Sequence, residues 1–173
     1  MSYNILLDTN FQKIEKRWKL NNCEYKDGYL IGKSKIYSIE QSITLPDPTK
    51  LYFGLDYICL DPNIKNIWIG IQSNNSLEAN KKIVKLHKRV RFSIIDDVKV
   101  ETINVMFIVE AKTNDTKIYI DSPLLIDLNY LHKGYWSKYF LDKFLHYKNG
   151  YCYSNLYHEN EITLDNEDFY SVY

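Results

Sequence analysis

The sequence predicts an all-β protein: an antiparallel jelly-roll β-sandwich, followed by a short C-terminal helix and an extended C-terminal tail. Between residues 4 and 128, segments of alternating apolar and polar residues are separated by short turns rich in Asp, Asn, Gly and Pro. A period of two residues is typical of strands with one buried face. Eight or nine such segments follow one another without a helical period, so we expect two packed sheets.

The first half of the chain provides two well-marked elements. Asp27-Gly28 lies between two strand-like runs and predicts a tight hairpin. The segment from Lys35 to Leu45 then alternates apolar and polar side chains, which predicts a strand. Pro46-Asp47-Pro48 predicts a loop after this strand.

The middle of the chain predicts buried strands and a polar connection. Leu51 to Leu60 and Asn66 to Gln72 are rich in β-branched and aromatic residues, which favours two buried strands. The polar segment from Ser73 to Asn80 predicts a surface loop by its composition. Ile83 to Ile95 predicts one half-buried strand with a basic solvent face.

The last strands of the sandwich are Ile103 to Ala111 and the closing strand Lys117 to Leu128. Pro123 interrupts the closing strand. Because proline has no amide hydrogen for the ladder, it predicts an edge position or a bulge. We expect the closing strand to lie beside the opening segment, which begins at Asn4.

The two ends of this region resemble a known family. Asn4 to Phe11 combines an Asn, three aliphatic residues, a short polar turn and a Phe, and Trp18 follows; Asp121 precedes aliphatic residues in the closing strand. The pattern resembles the jelly-roll modules of carbohydrate-binding domains and of many tailed-bacteriophage virion proteins. The resemblance covers roughly residues 4–128.

The resemblance also implies a structural calcium ion, with no other cofactor. Its ligands would be Asp121 on the closing strand and Asp8 or Asn10 near the opening turn. Gln12 replaces the acidic residue that the family places after Phe11, which removes one expected ligand.

Composition argues against several classes of partner. The 22 Lys and Arg residues are matched by 22 Asp and Glu residues, so no net field attracts nucleic acid or a membrane surface. The chain contains three Cys residues and no Cys-x-x-Cys pair, which favours a reduced protein without a disulfide framework or a zinc site. No cleavable signal or membrane span is predicted.

No motif predicts catalysis, so the expected protein is not an enzyme and has no catalytic residues. The four His residues lack metal-ligand spacing, and no glycine-rich phosphate loop or nucleophile elbow is present. Carboxylates that could form a glycosidase pair are numerous, and nothing in the sequence selects one pair. They are Asp56, Asp61, Asp96, Asp97, Asp121 and Asp127.

Two further groups of side chains allow both a structural and a binding interpretation. A basic stripe could contact phosphates, although its alternation favours a solvated strand face. It comprises Lys81, Lys82, Lys85, His87, Lys88, Arg89 and Arg91. Four aromatic residues could form a platform for sugar rings, although core packing accounts for most of them. They are Trp18, Tyr52, Tyr57 and Trp68.

The region 129–173 is predicted to be an aromatic-rich interaction segment outside the sandwich domain, residues 1–128. Aromatic residues three to five positions apart predict a helix over about 135–147, bounded by Gly134 and Asn149-Gly150. The helix could pack on its own sandwich or on a partner, and docking on a partner is favoured for 151–173. The predicted partner-binding residues are Tyr135, Trp136, Tyr139, Phe140, Phe144, Tyr151, Tyr153, Phe169 and Tyr170.

These observations predict a non-enzymatic structural or attachment component of a bacteriophage particle, in the head, neck, tail or fibre. It would dock on other virion proteins in a multi-copy assembly, be assembled in the cytoplasm of the bacterial host and reside in the virion. The alternative is a carbohydrate-binding module that recognises cell-surface glycan. A glycan-active enzyme is a third hypothesis.

Overall fold

The computed structural model describes residues 5–7, 11–74, 76–130, 145–148 and 151–154. The described strands, in chain order, are β1 (Lys19–Asn21), β2 (Cys23–Lys26), β3 (Tyr29–Gly32), β4 (Ile36–Thr44), β5 (Thr49–Ile58), β6 (Ile64–Ser73), β7 (Ser76–Ile83), β8 (Arg89–Val98), β9 (Thr102–Ala111), β10 (Lys117–Asp127), β11 (Leu145–Lys148) and β12 (Tyr151–Ser154). A short helix, α1 (Ile14–Arg17), precedes β1, and a 3-10 turn, Leu128–Tyr130, follows β10.

Ten of these strands form two five-stranded sheets. The front sheet has the order β1-β4-β9-β6-β7, and the back sheet has the order β2-β3-β10-β5-β8. Every neighbouring pair in both sheets is antiparallel. The predicted two-sheet antiparallel sandwich is therefore confirmed.

Apolar side chains from the facing sides of the two sheets form the core. Ile39, Ile69 and Phe107 of the front sheet and Leu55 and Ile120 of the back sheet are almost completely buried in it. Because side chains alternate along a strand, the intervening residues of each strand lie on the outer face of the same sheet. The outer faces are where binding groups can lie.

The N-terminal segment joins the two sheets. The backbone N–H of Ile5 donates to the carbonyl of Leu125 in β10 at 2.8 Å. The side chain of Gln41 in β4 bonds both backbone groups of Leu7, since its Oε1 accepts at 2.9 Å and its Nε2 donates at 3.0 Å. The expected proximity of the opening segment and the closing strand is confirmed at Ile5.

Three local predictions are confirmed. β2 and β3 form the hairpin around Asp27-Gly28, and β4 buries the residues expected to face the core. In β10 the pairing with β5 shifts between Asp121 and Leu124, so Pro123 lies in a bulge of a central strand. The bulge removes the need for an amide donor at the proline.

Two predictions for the middle of the chain are wrong. The polar segment expected to be a loop contains β7, an exposed edge strand of the front sheet. The single strand expected from Ile83 to Ile95 is divided, because β7 ends at Ile83 and β8 begins at Arg89. Polar composition misled the sequence interpretation here, since edge strands are commonly polar and charged.

The predicted helix over about 135–147 is wrong at its C-terminal end. Residues 145–147 belong to β11, which pairs with β12 in a separate two-stranded sheet. Residues 135–144 lie outside the described residues. In the part of the chain that the structure describes, no helix is long and apolar enough to cross a membrane.

Candidate functional site

The outer face of the front sheet presents a half-exposed tryptophan. Ile67, Ile69 and Ile71 of β6 are completely buried in the core, so the alternate residue Trp68 lies on the outer face. Its cross-strand neighbours on this face are Ile108 of β9 and Lys81 of β7. The Nζ atom of Lys81 lies 5.3 Å from the centroid of the indole ring.

A flat apolar floor lies next to the indole. Gly70 follows Trp68 on the same face, between Met106 of β9 and Ala79 of β7. A Cβ atom at Gly70 would lie 3.1 Å from both the Leu77 Cδ1 atom and a backbone oxygen of β7. The Leu77 side chain therefore packs against Gly70, which is buried together with Met106, while the indole of Trp68 beside them is partly exposed.

Side chains with amide groups border the floor. Gln72 lies four residues after Trp68, about 13 Å along β6, and its cross-strand neighbour on β9 is Asn104. Asn66 lies on the other side of Trp68, and its Nδ2 atom donates to the Glu110 Oε2 atom at 3.0 Å. An amide has both donor and acceptor groups, which matches a hydroxyl group.

The face continues into a groove of about 360 Å³ beside α1. Glu40 and Asn104 line it on the sheet side, and Arg17 lines it on the side of α1. Glu40 is paired with Lys19, with a distance of 3.4 Å between Nζ and Oε1. We call this whole surface the Trp68 face; its main residues are Lys19, Glu40, Asn66, Trp68, Gly70, Gln72, Lys81, Asn104, Met106, Ile108 and Glu110.

The chemistry of the Trp68 face suits a sugar. A flat indole can pack against the C–H groups of a pyranose ring, while the bordering amides can bond its hydroxyl groups. Ligand sites generally combine an apolar surface with a few placed polar groups. Five strands spaced by about 4.8 Å also give the face a width of about 19 Å, enough for more than one sugar ring.

The outer face of the back sheet is closed instead. Tyr52 of β5 and Leu124 and Ile126 of β10 are completely buried on this face, although they are not part of the core between the sheets. Ser93 of β8, next to Gly54 in register, is also completely buried. A ligand has no comparable access to this area.

A cluster of charged side chains lies beside this closed area. The Arg91 Nη1 atom donates to the Asp56 Oδ1 atom at 3.1 Å and to the Ser122 carbonyl at 2.7 Å, and its Nε donates to the Tyr52 hydroxyl at 3.1 Å. Arg89 bridges the Asp56 and Asp121 carboxylates, with Nη2 to Oδ2 distances of 3.2 and 2.7 Å. The cluster ties β8, β5 and the bulge of β10 together.

Burial and neighbouring charges shift the pKa values of this cluster in opposite directions. Burial raises the pKa of the Asp56 carboxyl, and the guanidinium groups of Arg91 and Arg89 oppose that rise. For Arg89, burial acts to lower the pKa, but the Asp56 and Asp121 carboxylates outweigh it and raise the pKa. The paired charges therefore stabilise one another inside the protein.

The structure separates the four aromatic residues proposed as a sugar platform. Trp18 is 3% exposed, and Tyr52 and Tyr57 are completely buried, whereas Trp68 is partly exposed on the outer face. The alternation of isoleucine with Asn66, Trp68, Gly70 and Gln72 was the signal in the sequence that could have located the face. The sequence interpretation included Trp68 among four candidates but did not locate the face around it, because it favoured the aromatic residues of the C-terminal segment.

The predicted basic stripe does not form one solvated face. Lys81 and Lys82 belong to β7, while Arg89 and Arg91 belong to β8 in the other sheet. Arg91 is only 6% exposed and is bonded to Asp56. The alternating pattern did not reveal that the polar side of β8 is itself buried.

The predicted calcium ligands are only partly described. The Asp121 carboxylate binds Arg89 and accepts the N–H of Ser122 at 2.8 Å, while Asp8 and Asn10 lie outside the described residues. Within the described ranges, no group of three or more His, Cys, Asp or Glu side chains is arranged to hold a metal ion. The calcium site stays a prediction.

The predicted partner-binding residues are also mostly outside the described part. Tyr151 and Tyr153 lie in β12. Binding of a partner by this segment stays a prediction. The remaining seven residues lie outside the described ranges, namely Tyr135, Trp136, Tyr139, Phe140, Phe144, Phe169 and Tyr170.

Comparison with known proteins identifies the fold. No protein-family model and no curated protein sequence matches the chain. TmCBM61, solved in complex with β-1,4-galactotriose, matches with a TM-score of 0.55 and 14% identity over 73% of this chain and 99% of that chain. The xylan-binding module CBM15 matches with a TM-score of 0.56 and 11% identity over 73% of this chain and 97% of that chain.

A bacteriophage protein also shares the fold. The enzymatically active domain of tailspike protein 4 of bacteriophage CBA120 matches with a TM-score of 0.51 and 12% identity over 72% of this chain. The match spans only 21% of that tailspike chain. Together these similarities show that the sandwich has the jelly-roll fold of carbohydrate-binding modules, as the sequence resemblance implied.

Proposed function

We propose that this protein is a non-catalytic carbohydrate-binding module and that its Trp68 face binds the glycan. The observation on which the proposal rests is the partly exposed indole of Trp68 on the outer sheet face, beside the apolar floor at Gly70 and Leu77 and bordered by amide side chains. This order of preference reverses the sequence interpretation, which placed a role in a phage particle first. The reversal follows from the partly exposed aromatic residue on an outer sheet face and from the fold of the structural neighbours.

The charges of the Trp68 face favour a neutral glycan. Glu40 is paired with Lys19, and Glu110 accepts a hydrogen bond from Asn66. Lys81 lies beside Trp68, so Lys19 and Lys81 balance Glu40 and Glu110, and the face offers little net charge to a charged sugar. The amides of Gln72 and Asn104 would then provide the specific bonds to hydroxyl groups.

The test is binding of neutral oligosaccharides by the full chain, measured by calorimetry on a panel derived from galactan, xylan and glucan. We expect saturable binding to at least one of them. Trp68→Ala should weaken it by about 30-fold or more, because a central stacked aromatic residue is worth about 2 kcal/mol. Circular dichroism should show an unchanged fold, because Trp68 lies outside the core.

Tyr29→Ala is the matched control. Tyr29 is a half-buried aromatic residue on the back sheet, packed edge-on against Tyr119 at 5.7 Å between centroids. Its removal should leave glycan affinity unchanged. Absence of saturable binding, or equal affinity of the Trp68→Ala and unmodified chains, would reject the proposal.

A second candidate is a component of a bacteriophage particle that docks on other virion proteins. The similarity to a tailspike domain favours it, although that match covers a small part of the tailspike. The two candidates are compatible, since a glycan-binding sandwich could be one part of a particle that attaches to a cell surface. In that case the chain would be located in the virion, as the sequence interpretation proposed.

A further inference from the structure

The closed outer face of the back sheet needs a cover that neither sheet provides. Tyr52, Leu124 and Ile126 are 0% exposed. Their strand neighbours in the core, such as Leu125 and Phe53, are buried by the front sheet, but a side chain on the outer face points away from it. Another part of the chain must therefore exclude water from these residues.

The β11–β12 hairpin is placed to do so. β11 approaches β10 with Cα–Cα distances within 8 Å. It does not pair with β10 by backbone hydrogen bonds, because β11 and β12 form a sheet of their own. The in-plane positions beside β10 are taken by β3, by β5 and by the N-terminal segment at Ile5. Since the front sheet covers the inner face of β10, the outer face is the broad side of the strand left for β11.

The sequence of β10 agrees with burial on both faces. Leu124-Leu125-Ile126 is an uninterrupted apolar run, which is typical of strands covered on two sides. A strand with one solvated face would place a polar residue at one of the two outer positions, Leu124 or Ile126. The burial of Asp56 and Arg91 on the same face is also accounted for by a third layer.

We propose that the β11–β12 hairpin is an intramolecular third layer that covers the apolar outer face of the back sheet. The hairpin is then part of the folded unit, and its docking surface is this chain's own sandwich. The sequence interpretation favoured a partner for the segment from 151 onward. This proposal does not depend on the glycan-binding function, because it concerns the opposite face of the molecule.

The test measures thiol labelling at single introduced cysteines in the full chain. Leu124→Cys reports on the outer face, and Leu125→Cys, the next residue, reports on the core as the matched control. Each is combined with His146→Pro in β11 or Tyr153→Pro in β12, because these two residues form a hydrogen-bonded pair and a proline at either one removes a donor from the two-stranded ladder. Peptide mass spectrometry separates the new thiol from Cys23, Cys59 and Cys152.

We expect slow labelling of Leu124→Cys in the chain with an intact hairpin. Either proline should raise that rate by about tenfold or more, while Leu125→Cys stays protected. If a proline change makes both positions label fast in dilute monomer, while both are protected when the hairpin is intact, the proposal is also supported, because a segment that only docks on a partner does not stabilise an isolated chain. Size-exclusion chromatography at the same concentration verifies the monomer.

Three results would overturn the proposal. The first is rapid labelling of Leu124→Cys while the hairpin is intact. The second is equal protection of Leu124→Cys with and without both proline changes. The third is protection that disappears on dilution, since it would show that a second copy provides the cover.

Discussion

Arg91 links three strands of the back sheet through one guanidinium group. Its side chain donates hydrogen bonds to the Asp56 carboxylate in the neighbouring strand β5 and to the carbonyl of Ser122 in the bulge of β10. Ser122 has a φ of 51°, a conformation that non-glycine residues rarely adopt. The bond from Arg91 to its carbonyl therefore helps to hold the bulge in a backbone geometry that is unfavourable by itself.

Arg91→Ala should lower the free energy of unfolding by about 3 to 5 kcal/mol, because it leaves the buried Asp56 carboxylate without its main partner. Arg89→Ala should lower the free energy of unfolding by only about 1 kcal/mol, since the Arg89 side chain is 32% exposed and Arg91 would still bind Asp56. Urea unfolding at neutral pH measures both values. Equal losses for the two variants would contradict this assignment of roles.

The different roles of Arg89 and Arg91 could not be predicted from the sequence. Both arginines alternate with apolar residues, and that pattern indicates only that they share a face. Whether the face meets water depends on what packs over it, and the covering residues lie far away in the chain. Trp68 shows the reverse case, because its alternation with three isoleucines was sufficient to place it outside the core.

At the scale of the element, the β2–β3 hairpin is specified by two residues. Asp27 and Gly28 have φ values of 52° and 86°, as a two-residue turn with positive φ at both positions requires. A Cβ atom at Gly28 would lie 2.4 Å from the Tyr119 Cε2 atom. The glycine is therefore needed both for the turn and for the packing of Tyr119 across it.

Gly28→Ala should lower the free energy of unfolding by about 1 to 3 kcal/mol, because the side chain is strained at this φ and displaces Tyr119. Asp27→Asn is the control, since asparagine tolerates a positive φ, and it should change stability by less than about 0.5 kcal/mol. Thermal unfolding of the three chains provides the comparison. A Gly28→Ala chain as stable as the unmodified chain would show that the turn rearranges without cost.

A similar turn signal was overlooked near the C-terminus. Two residues, Asn149 and Gly150, separate β11 from β12, whose ends pair at Lys148 and Tyr151. The sequence interpretation used this dipeptide to end a helix, because aromatic residues three to five apart dominated the pattern. Asn-Gly between two short aromatic runs is itself a strong hairpin signal. The spacing of the aromatic residues alone could not distinguish the helical period from the strand period.

For the whole molecule, the two outer faces have opposite characters. The Trp68 face carries polar side chains and a partly exposed indole, whereas the outer face of the back sheet is completely buried at Tyr52, Leu124 and Ile126. The sequence predicted the sandwich correctly because alternation and turn residues are local signals. Which face would stay open is not local, since it depends on where the C-terminal segment packs.

A glycan present at 100 times its dissociation constant should stabilise the unmodified chain by about 2.7 kcal/mol.

Two sheets about 10 Å apart separate the Trp68 face from the covered face, so changes on the two faces should be independent. The His146→Pro chain should show the same dissociation constant in calorimetry while it remains folded. In the reverse direction, Trp68→Ala should leave the slow labelling of Leu124→Cys unchanged, because sites that far apart without shared partners behave additively. A change in glycan affinity of more than about threefold in the folded His146→Pro chain would show that the faces are coupled, and the hairpin would then influence binding as well as stability.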